Sequence, residues 1–456
     1  MSRSLSFLDS PIAGAEMVPE TMRKTFSAEA FITRCVEVEV ALAKVQADLG
    51  IIPVKAATGI GQAAQRTELD YERLVRETEI VGYPILPLVE QLAAASEHGR
   101  YLHWGATTQD IMDSATVLQI RAGLDEIQTL LDRCIPALAK LAEDHRTTVM
   151  AGRTHLQQAL PVTFGYKAAV WLSGLLRHRE RLAQLRPRVE VVQFSGASGT
   201  LASLGSDGIA VQDSLAVELG LGSPIITWHS MRDSMAETVQ FLALLCGSLE
   251  KIAFDISIMA MTELGEAAEP FSRHRGASST MPQKRNPISC ERIIAAAKMV
   301  RQHAGLMLDA MAHDFERATG PWHLEWSAVP ESFALTAGAL EQAVGMLEGL
   351  HIDAQAMRRN LDRSNGLILA EAVLMALAPF TGRQQAHDLV YAACQASSEA
   401  DISLFDELRK EPRITAHLDA QRLDELADPA NYLGSVESMI DRVIEAHSSS
   451  DNQARH

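Results

Sequence analysis

The chain has 456 residues and carries 58 Asp and Glu against 41 Lys and Arg, a net charge of −17. That balance argues against a general nucleic-acid or anionic-membrane surface, which would be repelled over most directions of approach. The length allows a large core without disulfides or metal, and the five widely spaced cysteines, Cys35, Cys134, Cys246, Cys290 and Cys394, form no Cys-x-x-Cys pair, which fits a reducing cytoplasm.

The opening MSRSLSFLDSPIAG has no sustained apolar stretch behind a basic one, so no signal peptide is expected. No uninterrupted apolar run approaches the ~18 residues of a membrane span. Aromatics make up only 5%, and Gly and Pro cluster at a few places, which predicts long helices rather than a sandwich or barrel. Residues 1–112 read as a helical N-terminal domain. A helix is predicted from 113 to about 145, and a second from 161 to 188, with Pro161 in its first turn, Ala168, Leu172 and Leu175 at helical spacing, and a basic end. In a third, Leu242, Leu245, Leu249, Ile252, Ile256 and Met259 recur at steps of three and four, the seam of a helix packed along its length. Joined by Gly-rich loops at 196–206 and 272–287, these helices predict an elongated bundle over 113–355. Turn signals at Thr381-Gly382, Glu411-Pro412 and Asp428-Pro429 divide 356–456 into shorter helices, and the polar tail from 448 reads as disordered. The fold class is all-α, in three helical domains.

The chemistry is concentrated at 271–290. Arg273, Arg275, Lys284 and Arg285 lie there with no Asp or Glu, inside a strongly acidic protein, so the segment is a local anion trap. Gly276 and the serines give it mobility, while Pro287 opens the following helix and aims free N–H groups back at it.

The order Ser278-Ser279-Thr280-Met281-Pro282-Gln283-Lys284-Arg285-Asn286-Pro287 resembles the signature of the fumarase/aspartase superfamily. Gly152-Arg153-Thr154-His155-Leu156-Gln157 is similar to its Gly-x-Thr-His stretch, and Gly105-Ala106-Thr107-Thr108-Gln109-Asp110 to its early Thr-Ser-x-Asp loop. The three occur in the family's order, and the resemblance extends over nearly the whole chain. Two positions depart from the pattern: Ala277 replaces the usual Gly before the paired serines, and Thr108 replaces the usual Ser. Neither removes a reactive group.

The resemblance implies removal of a proton from the carbon next to a carboxylate, with expulsion of a group from the adjacent carbon. The intermediate carries extra negative charge, which Lys284, Asn286 and loop amides are suited to receive. By resemblance Ser278 is the base, and His155, oriented by Glu291, protonates the leaving group. Thr107, Thr108, Gln109, Arg153, Thr154, Ser279 and Met281 are then expected at the substrate. Arg232 and Arg317 are expected as substrate anchors or ion-pair partners, because a guanidinium does not exchange protons near neutrality. No metal or organic cofactor is expected, since no His or Cys pair has ligand spacing and the substrate carboxylate itself carries the charge.

Gly320-Pro321-Trp322-His323-Leu324-Glu325-Trp326 and Arg358-Arg359-Asn360-Leu361-Asp362 look like the 3-carboxy-cis,cis-muconate cycloisomerase branch. That branch's bacterial members carry Trp where this chain has His155 and a small residue where it has Glu291. Retention of both acids favours a lyase acting on a substituted succinate to give fumarate or a related unsaturated acid. The alternatives are lactone formation from 3-carboxy-cis,cis-muconate and a non-catalytic protein on the same fold. Trp322 and Trp326, where the adenylosuccinate branch handles a phosphate, point to a flatter or more apolar leaving group. The resemblance also implies a homotetramer whose active sites draw the three motifs from three subunits, and the apolar 242–259 seam offers a central interface for it.

Overall fold

The computed structural model describes residues 7–454 apart from 13 and 318. Residues 1–6 and 13 of the opening stretch, where no signal peptide is expected, lie outside the described residues. The fold is all-helical apart from two small antiparallel pairs, 149–154 with 157–163 and 267–268 with 351–352. Helices Thr108–Asp144, Phe164–Val189, Asp233–Met259, Ile288–Ala310 and Pro321–Glu348 dominate it. Ordinary caps start many of the shorter helices: the Ser27 hydroxyl accepts from the Ala30 N–H, and Asp70, Asp353 and Asp419 do the same for theirs. No single helix among the described residues is long and apolar enough to cross a membrane.

The chain divides into two compact units. One comprises Met1–Leu131, His178–Gly247 and Ala295–Glu341; the other comprises Asp132–Arg177, Ser248–Ile294 and Gln342–His456. In the first unit, Cys35, Val38 and Leu42 pack with Ile85, Leu88, Ile111, Leu118, Val211 and Leu215. In the second, a separate cluster unites Leu369, Val373, Leu377, Leu404, Leu408, Ile414 and Leu423. Each such fully buried side chain contributes about 1.5–3 kcal/mol.

Three expectations change. The seam residues Leu242, Leu245, Leu249, Ile252, Ile256 and Met259 are at most 3% exposed within one protomer. They belong to the protomer's own core and are not a subunit interface; on the same helix it is Leu244 and Phe254 that face outward. Residues 161–163 are strand, and the helix opens at Phe164. Pro161 pairs with Ala151 in the hairpin register, a site where the missing N–H is tolerated at an edge. The helix Val436–Ala454 runs through the tail expected to be disordered, whose last two residues lie outside the described residues.

Candidate active site

In the first unit, Thr107 and Thr108 stand at the start of helix Thr108–Asp144, both half-buried. The Thr107 N–H donates to Asp110 at 3.0 Å. The Asp110 carboxylate also accepts from the backbone N–H groups of Ser195 and Gly196, each at 2.9 Å, which ties the Gly-rich 196–206 loop to the helix start. Burial pushes the Asp110 carboxyl up to about 6 against the pull of those N–H groups.

The residue after Thr108, Gln109, is 1% exposed and engaged at both ends of its amide. Its Nε2 donates to Asp113 Oδ2 at 3.0 Å and to the His229 carbonyl at 2.9 Å, and its Oε1 accepts from Arg317 Nη1 at 2.6 Å. The sequence places Gln109 at the substrate; buried, with both amide N–H groups donated and its oxygen turned to Arg317, it supports that guanidinium instead. Arg317 Nη2 donates to the Ala197 carbonyl at 2.9 Å. The His229 Nε2–H donates to the Glu316 carbonyl, which fixes the tautomer because a carbonyl only accepts, and Nδ1 lies 2.7 Å from Thr227 Oγ1. Burial keeps that ring's pKa low.

Arg232 is fully buried. Its guanidinium donates to Asp113 at 2.7 and 3.0 Å and to Glu325 at 2.8 and 2.5 Å, and its face lies 5.0 Å from the Trp228 ring. Of its two expected roles, the structure shows ion pairing; no edge is left for a substrate. Burial disfavours the guanidinium charge, and the two carboxylates more than restore it. Trp322 is also buried, its Nε1–H donating to Asp113 Oδ1 at 3.2 Å, so it packs the protein rather than a leaving group, whereas Trp326 is substantially exposed. The two rings flank an apolar cavity of about 370 Å³, lined also by Phe26, Phe31, Met112 and Val329.

In the second unit, the Gly-x-Thr-His stretch forms a hairpin: strands Val149–Thr154 and Gln157–Thr163 pair antiparallel, with a bulge between Ala151 and Arg153. His155 and Leu156 make its two-residue turn at φ +52° and +63°, a left-handed conformation that suits Asn or Gly better and costs such residues on the order of 1 kcal/mol each. The strain is held by what lies behind it. Arg153 makes a two-pronged pair with buried Glu266 at 2.8 and 2.6 Å, and Asn360 Nδ2 donates to the same carboxylate at 2.9 Å. Thr154 and His155 are thereby presented to solvent, and Arg153 serves as the anchor of the hairpin. Thr154 borders a groove of about 380 Å³ that also takes in Tyr166, Lys167, Trp171 and Lys251.

The cation-rich segment closes on itself. Gly276 accepts from the Asn286 N–H at 2.9 Å, Ala277 bridges to Arg285, and Lys284 N–H donates to the Met281 carbonyl at 3.1 Å. Gly276 has φ +67°, and a Cβ there would sit 2.4 Å from the Asn286 carbonyl oxygen, so only glycine allows this closure. Inside the loop, Ser278 Oγ accepts from the Met281 N–H at 3.1 Å and the Thr280 N–H at 3.3 Å, a geometry that favours negative charge on the oxygen. Ser279, Met281 and Lys284 are exposed and Asn286 half-buried. Arg285 lies over Phe271 at 4.6 Å, and Arg275 donates to Ser289 at 2.7 Å and Gln342 at 2.8 Å, so these two cations brace the loop. Behind it, Glu269 accepts from the Ser289 and Cys290 N–H groups at the start of helix Ile288–Ala310. The Cys290 thiol is buried and its pKa is pushed well up, which removes it as a competing nucleophile. Glu291 is exposed in that helix's first turn. Among the described residues no hydrogen bond joins it to His155 within the protomer. No cluster of three or more His, Cys, Asp or Glu suited to a metal occurs among them either.

A lyase family model matches residues 20–301, and a model of the adenylosuccinate lyase C-terminus matches 366–443. The chain belongs to the fumarase/aspartase superfamily. Among solved structures, a fumarate lyase from Mesorhizobium sp. BNC1 is similar at 61% identity with a TM-score of 0.90, over 94% of this chain and 98% of that one. Trans-aconitate decarboxylase 1 of Mycosarcoma maydis is 48% identical over 94% of this chain and 87% of its own length. The 3-carboxy-cis,cis-muconate cycloisomerase of Pseudomonas aeruginosa is 45% identical over 93% of this chain and 94% of its own. The chain is therefore an enzyme of this superfamily close to the muconate cycloisomerases, with its three motifs on a helix start, a hairpin tip and a self-closed loop.

Proposed function

We propose that the protein is a cofactor-independent lyase that reversibly removes an amine, hydroxyl or similar group from a substituted succinate, releasing fumarate or a related unsaturated acid. The observation that carries this reading is the Ser278 hydroxyl, which receives two backbone N–H groups inside a loop bearing Lys284 and Asn286 and no carboxylate. An alkoxide formed there takes the proton from the carbon beside the substrate carboxylate. The electron pair moves into that carboxylate, where Lys284, Asn286 and loop amides receive the charge as it develops. It then returns to form the double bond as the adjacent C–N or C–O bond breaks, and His155 delivers the proton that the departing group requires.

Thr107, Thr108, Thr154, Ser279 and Met281 line the substrate, and Arg317 holds a carboxylate. His155 and Glu291 pair between protomers of a homotetramer, and each site draws its motifs from three subunits; the exposure of both side chains on one protomer fits that arrangement. A reducing cytoplasm suits the five free cysteines.

Purified protein incubated with fumarate and a panel of amines, thiols and water, and separately with 3-carboxy-cis,cis-muconate, tests the reading. Addition products from fumarate are expected. Rapid lactone formation without any addition to fumarate would overturn the lyase assignment in favour of the cycloisomerase.

A further inference from the structure

The buried cluster beneath Gln109 holds more carboxylate than its cation requires. Glu325 alone pairs with Arg232 through Nε and Nη2, yet Asp113 binds the same guanidinium through Nη1 and Nη2. A second buried carboxylate on one guanidinium is a poor source of stability. It has another use. Asp113 also accepts from Gln109 Nε2, and the Gln109 amide is chemically two-faced: rotated by half a turn, it would present N–H where it now presents oxygen. Asp113 and the His229 carbonyl are both acceptors only, so together they compel the NH₂ toward themselves and the oxygen toward Arg317.

We propose that Asp113 is a positioning residue which, through Gln109, fixes the direction of the Arg317 guanidinium and so sets how a substrate carboxylate is received. Among the described residues, the bonds from Arg317 to Gln109 and to the Ala197 carbonyl occupy two of the five guanidinium N–H groups, leaving three for an anionic partner. Orientation rather than charge is what Asp113 contributes. An Asn in its place leaves Arg232 and Glu325 balanced in charge but sets an NH₂ against an Arg232 N–H at either oxygen position; at the Oδ2 position it also favours the rotated Gln109 amide, whose N–H then confronts Arg317 Nη1, donor against donor. That Arg317 receives a carboxylate rests on the lyase reading; that Asp113 and Gln109 orient it does not.

The test uses the full chain and two readouts. Arg317 is labelled with phenylglyoxal and followed by peptide mass spectrometry, and fumarate binding is measured by calorimetry, for the parent, Asp113→Asn, Gln109→Leu, Arg317→Ala and the Asp113→Asn/Arg317→Ala pair. Asp113→Asn is expected to label Arg317 several-fold faster and to bind fumarate about tenfold more weakly, while adding nothing in the Arg317→Ala background. Gln109→Leu removes the amide without altering a buried charge and is expected to accelerate labelling equally, which covers the case of an unfolded Asp113→Asn protein. Unchanged Arg317 labelling in either folded variant, or additive weakening in the pair, overturns the proposal. A parent protein that binds no fumarate but shows the labelling differences would overturn the assigned substrate class and leave the positioning role standing.

Discussion

Replacing Gly276 with Ala should separate loop geometry from loop chemistry. The new Cβ would meet the Asn286 carbonyl oxygen at 2.4 Å and the Asn286 nitrogen at 3.3 Å, at φ +67°. The left-handed conformation costs an alanine about 1–2 kcal/mol, and ordinary contact requires the Asn286 backbone to retreat by about 1 Å, which breaks the closing N–H bond to Gly276. Nothing reactive is removed, yet Lys284 and Asn286 move relative to Ser278. A displacement of that size costs roughly 100-fold in rate. Steady-state kinetics on the substrate that the fumarate panel identifies should show kcat/KM down by about two orders of magnitude, with the melting temperature lowered by only a few degrees because the loop lies outside both hydrophobic cores. Ala277→Gly, which changes an exposed neighbour, should keep its activity. A Gly276→Ala protein within about threefold of the parent would refute the claim that closure of the loop organises the site.

Arg232→Met leaves Asp113 and Glu325 buried without a cation and should cost about 3–5 kcal/mol in denaturant unfolding; a loss below about 1 kcal/mol would mean that the cluster is hydrated. Burial and the nearby Arg232 charge bring His313 down to about 4 from an ordinary value near 6.5. A folded-state pKa depressed in this way gives stability that is present above pH 6.5 and lost as the pH falls toward 4. After allowance for its half-exposed position, the loss is roughly 1–2 kcal/mol. His313→Ala should therefore flatten the melting temperature between pH 6.5 and 4 relative to the parent, and parallel curves would contradict the assignment.

Helical spacing made the long helices legible: the steps of three and four from Leu242 to Met259 fall within the observed Asp233–Met259 helix. Spacing reports that a face is buried but not by what, so the same residues suit a subunit interface and a protomer core equally well in sequence, and the fold places them in the core. The 149–163 hairpin carries no such signal, because its turn, His155-Leu156, has neither Asn nor Gly and Pro161 suits a helix start equally well. Residue order exposed the Ser278 loop. The support for Arg317 has no such signal: Arg232 meets Glu325 and Asp113 across 93 and 119 residues, and Gln109 meets Arg317 across 208, so only the fold reveals that Gln109 faces inward. A buried Gln beside a buried Asp one helical turn later is the one local hint.

Ser278→Ala provides the most direct test of the central claim that this hydroxyl takes the proton. Exchange of the substrate's C–H in deuterated water, followed by NMR alongside turnover, reads the step itself. Both exchange and turnover are expected to vanish while fumarate still binds and the assembly keeps its size; continued exchange in a folded Ser278→Ala protein would show that the base lies elsewhere.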